Sequence, residues 1–232
     1  MHSHADLHAP EGDPRIAYFN GLAARWDSAG QDPSVTICQL AERHGLLGLK
    51  SGDDLLEVGC GTGQISGWLA AHVAPGKVVA VDFAEAMLEQ ARRKNLPVEF
   101  RCADACCTEL GSQCFDVVLC FHSFPHFRDP SAALKNLTRA LRTGGRLLVM
   151  HLASSAQINA FHDHVGGAVA GDHLPSNSDW ESLLAGSGLR IQKYHDRDGL
   201  FFLAAGPDIP ADRPRTVPRP SCRVRAPGRC KP

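Results

Sequence analysis

Apolar and polar positions along the chain switch repeatedly between a helical and a strand period. Residues 14–27 (PRIAYFNGLAARWD) predict a short helix with Pro14 in its first turn. Residues 33–46 set Ile37, Leu40, Ala41 and His44 on one helical face. DDLLEV (53–58) is a short apolar run into glycines, as in a buried strand, and QISGWLAAHV (64–73) returns to helical spacing. KVVAVD (77–82), PVEFRCAD (97–104) and FDVVLCF (115–121) predict three more strands, with a helix over 84–94 between the first two. Asp129-Pro130 supplies an N-cap and a first-turn proline for a helix through Leu134, Leu137 and Leu141, which Gly144-Gly145 should end before a fifth strand at 146–152. Ser154 with Gln157, and Ser178 with Glu181, have capping-box spacing; the first introduces a helix carrying Ile158, Phe161 and Val165. Residues 189–196 and 200–206, around Asp198-Gly199, read as a hairpin. The alternation predicts an α/β fold, a mostly parallel sheet with helices on both faces. A ligand would then sit beyond the carboxyl ends of the strands.

Composition changes this picture little. At 232 residues, 44% hydrophobic and 21% charged, the chain fits one globular domain, drawn here at 13–206. A net charge of −1 argues against a nucleic-acid partner, and no apolar run reaches the roughly 18 residues that cross a bilayer. The charge is uneven. Residues 207–232 hold seven basic side chains, two acids and seven of the 15 prolines, and read as a disordered basic tail. Residues 1–12, with His2, His4 and His8, read as a disordered start without an apolar signal core. The nine cysteines show no paired CxxC spacing, which suggests free thiols and a cytoplasmic location. Oligomeric state leaves no signal in the sequence.

The strongest local feature is LLEVGCGTGQ (55–64), a glycine loop leaving a strand and entering a helix, where backbone N–H groups admit a ligand closely. Gln64 breaks the dinucleotide-binding G-x-G-x-x-G, and no G-x-x-x-x-G-K-[ST] is present. Asp82 ends the second strand, placed to accept both hydroxyls of a ribose, and Asp104 ends the third, placed for an exocyclic amine of a base. With Glu57 they form an acidic set suited to a ligand with free ribose hydroxyls and no phosphate.

These motifs resemble those of the class I S-adenosylmethionine-dependent methyltransferases. E-V-G-C-G-T-G (57–63), V-V-A-V-D (78–82), R-C-A-D-A (101–105), F-D-V-V-L-C (115–120) and G-G-R-L-L-V (144–149) match the family's successive motifs, and the likeness spans about 13–206. The resemblance implies a Rossmann-like, seven-stranded, mostly parallel sheet with an antiparallel last strand. It also implies S-adenosyl-L-methionine as cofactor, held by Glu57, Gly59, Gly61, Gly63, Asp82 and Asp104, with Phe83 against the adenine. Y-F-N-G-L-A-A-R-W-D (18–27) is similar to the cofactor-covering helix of the small-molecule branch that includes the ubiquinone/menaquinone methyltransferases, which makes Tyr18 and Trp26 lid candidates.

For the acceptor, expected to be a small molecule, histidines gather past strands four and five: His122, His126, His151, then Asn159 and His162 on one helical face. Either His126 or His151 is a catalytic base, or His126, His151 and His162 hold a divalent transition metal with an open position. A competing class is a non-enzymatic protein of this fold that binds the cofactor or a transition metal.

Overall fold

The computed structural model describes residues 13–29 and 32–207; the expectations for residues 1–12 and 208–232 lie outside them. Among the described residues seven strands form one sheet: β1 (Leu55–Val58), β2 (Val78–Asp82), β3 (Glu99–Cys102), β4 (Phe115–Phe121), β5 (Leu141–His151), β6 (Leu189–Arg197) and β7 (Leu200–Pro207). Their order is β3-β2-β1-β4-β5-β7-β6, with β7 antiparallel to both neighbours and every other pair parallel. This is the expected Rossmann-like sheet with its antiparallel last strand.

The central strands are apolar on both faces because helices cover both, and their side chains alternate between two cores. Leu56, Val58, Val118, Leu147, Val149 and Phe201 face one core. It is closed by α7 (Pro130–Ala140) through Leu134 and Leu137, and by α9 (Asn177–Ala185) through Trp180 and Leu184. Leu55, Val117, Leu119, Leu148 and Phe202 face the other. There Leu40 of α3 (Pro33–Glu42), Leu47 of α4 (His44–Leu47), and Leu69 and Val73 of α5 (Ser66–Val73) complete it. Each such buried aliphatic side chain contributes about 1.5–3 kcal/mol.

A third, smaller cluster carries the N-terminal cover. The helix predicted over 14–27 divides into α1 (Pro14–Leu22), a 3-10 turn (Ala23–Arg25) and α2 (Trp26–Ala29). Phe19 and Ala23 pack on Ala84 and on Met87 of α6 (Glu85–Arg93), and Asn20 Oδ1 accepts the Ala86 N–H at 3.0 Å. Asp27 carries the second fastening: Thr62 and Gln64 of the glycine loop donate to its Oδ1, and Lys94 pairs with Oδ2 at 2.7 Å.

Three local expectations fail for identifiable reasons. The 130s helix ends at Ala140, and Gly144-Gly145 lie inside β5, where the β4–β5 register shifts; a Cβ at Gly145 would meet the Arg142 carbonyl oxygen at 2.9 Å. The glycines thus serve a bulge and not a helix stop. Helix α9 is capped by Ser176, whose Oγ accepts the Asp179 N–H, two residues before the expected Ser178. On α8 (Ser155–Val165) the Ser154–Gln157 capping box forms as expected, but of the expected apolar face only Ile158 packs against the core. His162 is the buried residue there, while Phe161 is 60% exposed and Val165 39%.

Candidate active site

The carboxyl ends of β1, β2 and β4 open on a cleft of about 710 Å³. Its first wall is the glycine loop. Gly59, Gly61 and Gly63 all have positive φ, between +54° and +72°, a region that side chains disfavour. A Cβ at Gly59 would come within 2.3 Å of the Ser123 Cβ, so this glycine lets the loop lie against the segment after β4. At Gly61 the nearest atom would be Trp26 Nε1, 4.0 Å away, which leaves space between loop and cover. Gly63 turns the other way, against Phe100 and Ala91, and closes the loop onto β3 and α6.

Asp82 forms the floor. Its Oδ2 accepts the Gly61 N–H at 2.8 Å and its Oδ1 the Ala84 N–H at 2.9 Å, so the carboxylate shapes the loop as well as facing the cleft. Burial pushes its pKa up to about 6, opposed by those two backbone donors. Glu57 lies beneath the loop and does not line the cleft. Its Oε2 accepts from Ser66 Oγ at 2.6 Å, and burial, with the charge of Asp82, raises its pKa to about 8. Asp104 lines the far end. Its Oδ1 accepts the Cys106 N–H at 2.7 Å, and its Oδ2 faces the Arg128 guanidinium at 2.9 Å. Phe83 lines the cleft as well; Tyr18 packs in the cover cluster behind Phe19, which is the aromatic that reaches the cleft beside Trp26.

The histidines resolve into two pairs. His126 lines the cleft, stands edge-on to Phe19 at 5.0 Å and lies 4.9 Å from His162, centroid to centroid. Its Nδ1 bonds Asp172 Oδ2 at 2.8 Å, and His162 turns its own Nδ1 to the Asp172 carbonyl oxygen. His151 is paired instead with His122, 5.0 Å away, and has Phe201 on another side. It is 1% exposed and neither ring nitrogen has a partner, so burial holds it neutral, well below the ordinary histidine pKa. Among the described residues no group of three or more His, Cys, Asp or Glu side chains is set to hold a metal ion. The set of His126, His151 and His162 is therefore not assembled as a metal centre: His151 pairs with His122, apart from the His126–His162 pair. Cys106 and Cys107 remain free thiols beside Asp104, with pKa values raised chiefly by burial.

The sequence left Phe19, Arg15 and Arg128 of this site unread, and it placed Asp172 after the α8 helix near the histidines without giving it a role. Phe19, Ala23 and Trp26 fall at i, i+4 and i+7, a spacing that marks Phe19 and not Tyr18 as the inward aromatic. Arg15, Arg128 and Asp172 carry no local signal, since their partners lie elsewhere in the chain.

Comparison with known proteins agrees with this geometry. A family model described as a methyltransferase domain matches residues 56–149, from β1 through most of β5. A biotin biosynthesis bifunctional protein of Bordetella avium is 32% identical over 209 residues, covering 87% of this chain and 44% of its own. A ubiquinone/menaquinone biosynthesis C-methyltransferase of Bdellovibrio bacteriovorus is 28% identical over 149 residues, covering 62% of this chain and 63% of its own. The chain thus spans about half the length of these curated relatives. The crystal structure of a SAM-dependent methyltransferase from Aquifex aeolicus shares the fold, with a TM-score of 0.58 at 22% identity over 82% of this chain and 97% of that one. With a glycine loop, strand-end acids and sheet order all of one kind, the chain carries a methyltransferase domain with the fold of the class I S-adenosylmethionine-dependent methyltransferases and resembles their ubiquinone/menaquinone group.

Proposed function

We propose that this protein transfers a methyl group from S-adenosylmethionine to an uncharged small molecule bearing an acidic hydroxyl or an amine. Asp82, Gly59 and Gly61 hold the cofactor, and His126 serves the acceptor. The observation that carries this reading is that one cleft joins the Asp82 carboxylate to the His126 imidazole. Each Asp82 oxygen spends one lone pair on a backbone N–H and keeps another for a ribose hydroxyl. Phe83 lies against the adenine, and Asp104, steadied by Arg128, takes its exocyclic amine. A lining that includes Asp13, Asp82 and Asp104 favours a sulfonium cation and disfavours phosphates.

S-Adenosylmethionine supplies, when bound, a sulfonium methyl that is displaced in line, with the sulfur–carbon electron pair staying on sulfur. The chain's own residues do the rest. The glycine loop and Asp82 orient the donor, Phe19 and Trp26 exclude water, and His126 Nε2 takes the proton that the acceptor gives up. His151, behind His122, would hydrogen-bond an acceptor group that reaches past that ring. Among the described lining residues Arg128 is the one arginine or lysine and already pairs with Asp104, so nothing there balances a carboxylate or phosphate on the acceptor.

The test is calorimetric binding of S-adenosylhomocysteine, followed by its release from S-adenosylmethionine across a panel of phenols, enols and amines. His126→Gln should keep product affinity and lower transfer about 100-fold, as for loss of a general base. If it weakens product binding as severely as Asp82→Ala does, the acceptor assignment is wrong. Tight binding with no release across the panel would instead indicate a cofactor-binding protein.

A further inference from the structure

Three side chains from separate parts of the chain meet at Asp172, which is 8% exposed. Its Oδ2 bonds His126 Nδ1 at 2.8 Å, and its Oδ1 accepts from Arg15 Nη1 at 3.2 Å. Its backbone carbonyl oxygen meets His162 Nδ1, and its N–H donates to the Val169 carbonyl at 3.1 Å. Asn159 of α8 fastens the same segment by accepting the Leu174 N–H at 2.8 Å. The carboxylate is thus fixed on both oxygens and along its backbone.

Simple donor and acceptor rules turn this junction into chemistry. A carbonyl oxygen only accepts, so His162 carries its hydrogen on Nδ1. An ionised carboxylate only accepts, so His126 does likewise, and its lone pair is left on Nε2 of a ring that lines the cleft. Arg15 belongs to α1, as does Phe19, whose ring meets that of His126. The other titratable groups around His126 are Asp82 on the cofactor side and the imidazoles of His122, His151 and His162.

We propose that Asp172 is the positioning residue that fixes His126 with Nε2 as its basic atom and, through Arg15, makes that alignment depend on α1 being seated over the cofactor. This rests on the reading of His126 as the base. The acceptor's O–H or N–H bond breaks, its proton bonds to Nε2, and its electron pair stays on the acceptor. The imidazolium charge so formed stands against the Asp172 carboxylate. The orienting carboxylate and the cover are one device, so a seated cover and an aligned base arise together.

Two readouts test this without any acceptor. Nitrogen–proton correlation spectra of the full chain labelled with 15N-histidine should show His126 as a single Nδ1–H tautomer. Asp172→Asn should mix or reverse it, because the amide NH₂ can donate to Nδ1, and Asp172→Glu should restore it in part. An unchanged His126 tautomer in Asp172→Asn overturns the proposal. Stopped-flow tryptophan fluorescence, with Trp26 in the cleft, would follow release of S-adenosylhomocysteine. Arg15→Gln and Asp172→Asn should each speed release about tenfold, roughly the loss of one charge-assisted hydrogen bond. The double variant should be no faster than the faster single one; rates that multiply sever the link to the cover. A tautomer and release pattern as expected, beside His126→Gln that still transfers methyl groups, would retain the junction and reject the base.

Discussion

The two ends of the cleft, assigned above by proposal to cofactor and acceptor, are built on different principles. At the cofactor end the groups come from strand ends and from one loop, and backbone geometry sets them: Asp82 holds the Gly61 and Ala84 N–H groups, and three glycines take positive φ. At the acceptor end side chains hold other side chains across long stretches of sequence, Arg15 to Asp172 over 157 residues and His126 to Asp172 over 46. The first kind of site is written in contiguous motifs. The second exists only after the chain has folded.

Substitutions can break this contrast or sharpen it. Asp82→Ala should act most strongly, because it removes both proposed ribose acceptors and strips a partner from two backbone donors. S-Adenosylhomocysteine affinity should fall about 100-fold or more by calorimetry. Gly59→Ala should cost about 3 kcal/mol of stability from positive φ and contact with Ser123, read from urea unfolding. Adding Ser123→Gly should return part of that loss, whereas no return would mean that the contact is not the cause.

Glu57 sharpens the contrast through pH. Its folded pKa of about 8 lies above the ordinary carboxylate value, so the folded state holds a proton that the unfolded chain has lost. Its contribution is complete below about pH 4.3 and declines as pH rises towards 8. Asp82 acts in the same sense but is finished by about pH 6. His151, held neutral, adds stability only as pH rises to about 6.5. Between about pH 6.5 and 8 the decline therefore belongs to Glu57, at most about 2 kcal/mol, and Glu57→Gln should flatten it in unfolding titrations. The smallest effect is expected at the acceptor end. His151→Phe removes two unpartnered buried nitrogens and should raise stability by about 1 kcal/mol, or about 3 °C, with product affinity unchanged.

The same contrast explains what the sequence could disclose. The apolar runs of β1, β2 and β4, the glycine loop and the strand-end acids were legible because each is a local pattern with one physical reading. Asp129 and Ser154 were legible as caps because capping spans only three residues. The apolar face of α8 misled, because His162 turns inward to meet Asp172 and displaces Phe161 outward, a tertiary choice that overrides helical periodicity. His126 was visible as a histidine near the strand ends, but Asp172 and Arg15, which give it direction, could not be chosen among 25 acids and 24 bases without the fold.

The position of β7 has a consequence for how the protein is made. It inserts between β5 and β6 and is almost wholly buried, although its residues, 200–207, come about fifty positions after the end of β5. During synthesis β5 therefore waits with one edge unpaired until those residues leave the ribosome, and an open edge of that kind invites pairing with other chains. A chain stopped before Leu200 would keep the whole glycine loop and Asp82 yet leave β5 bare on that side, so chaperone demand during expression should depend on a stretch far in sequence from the glycine loop.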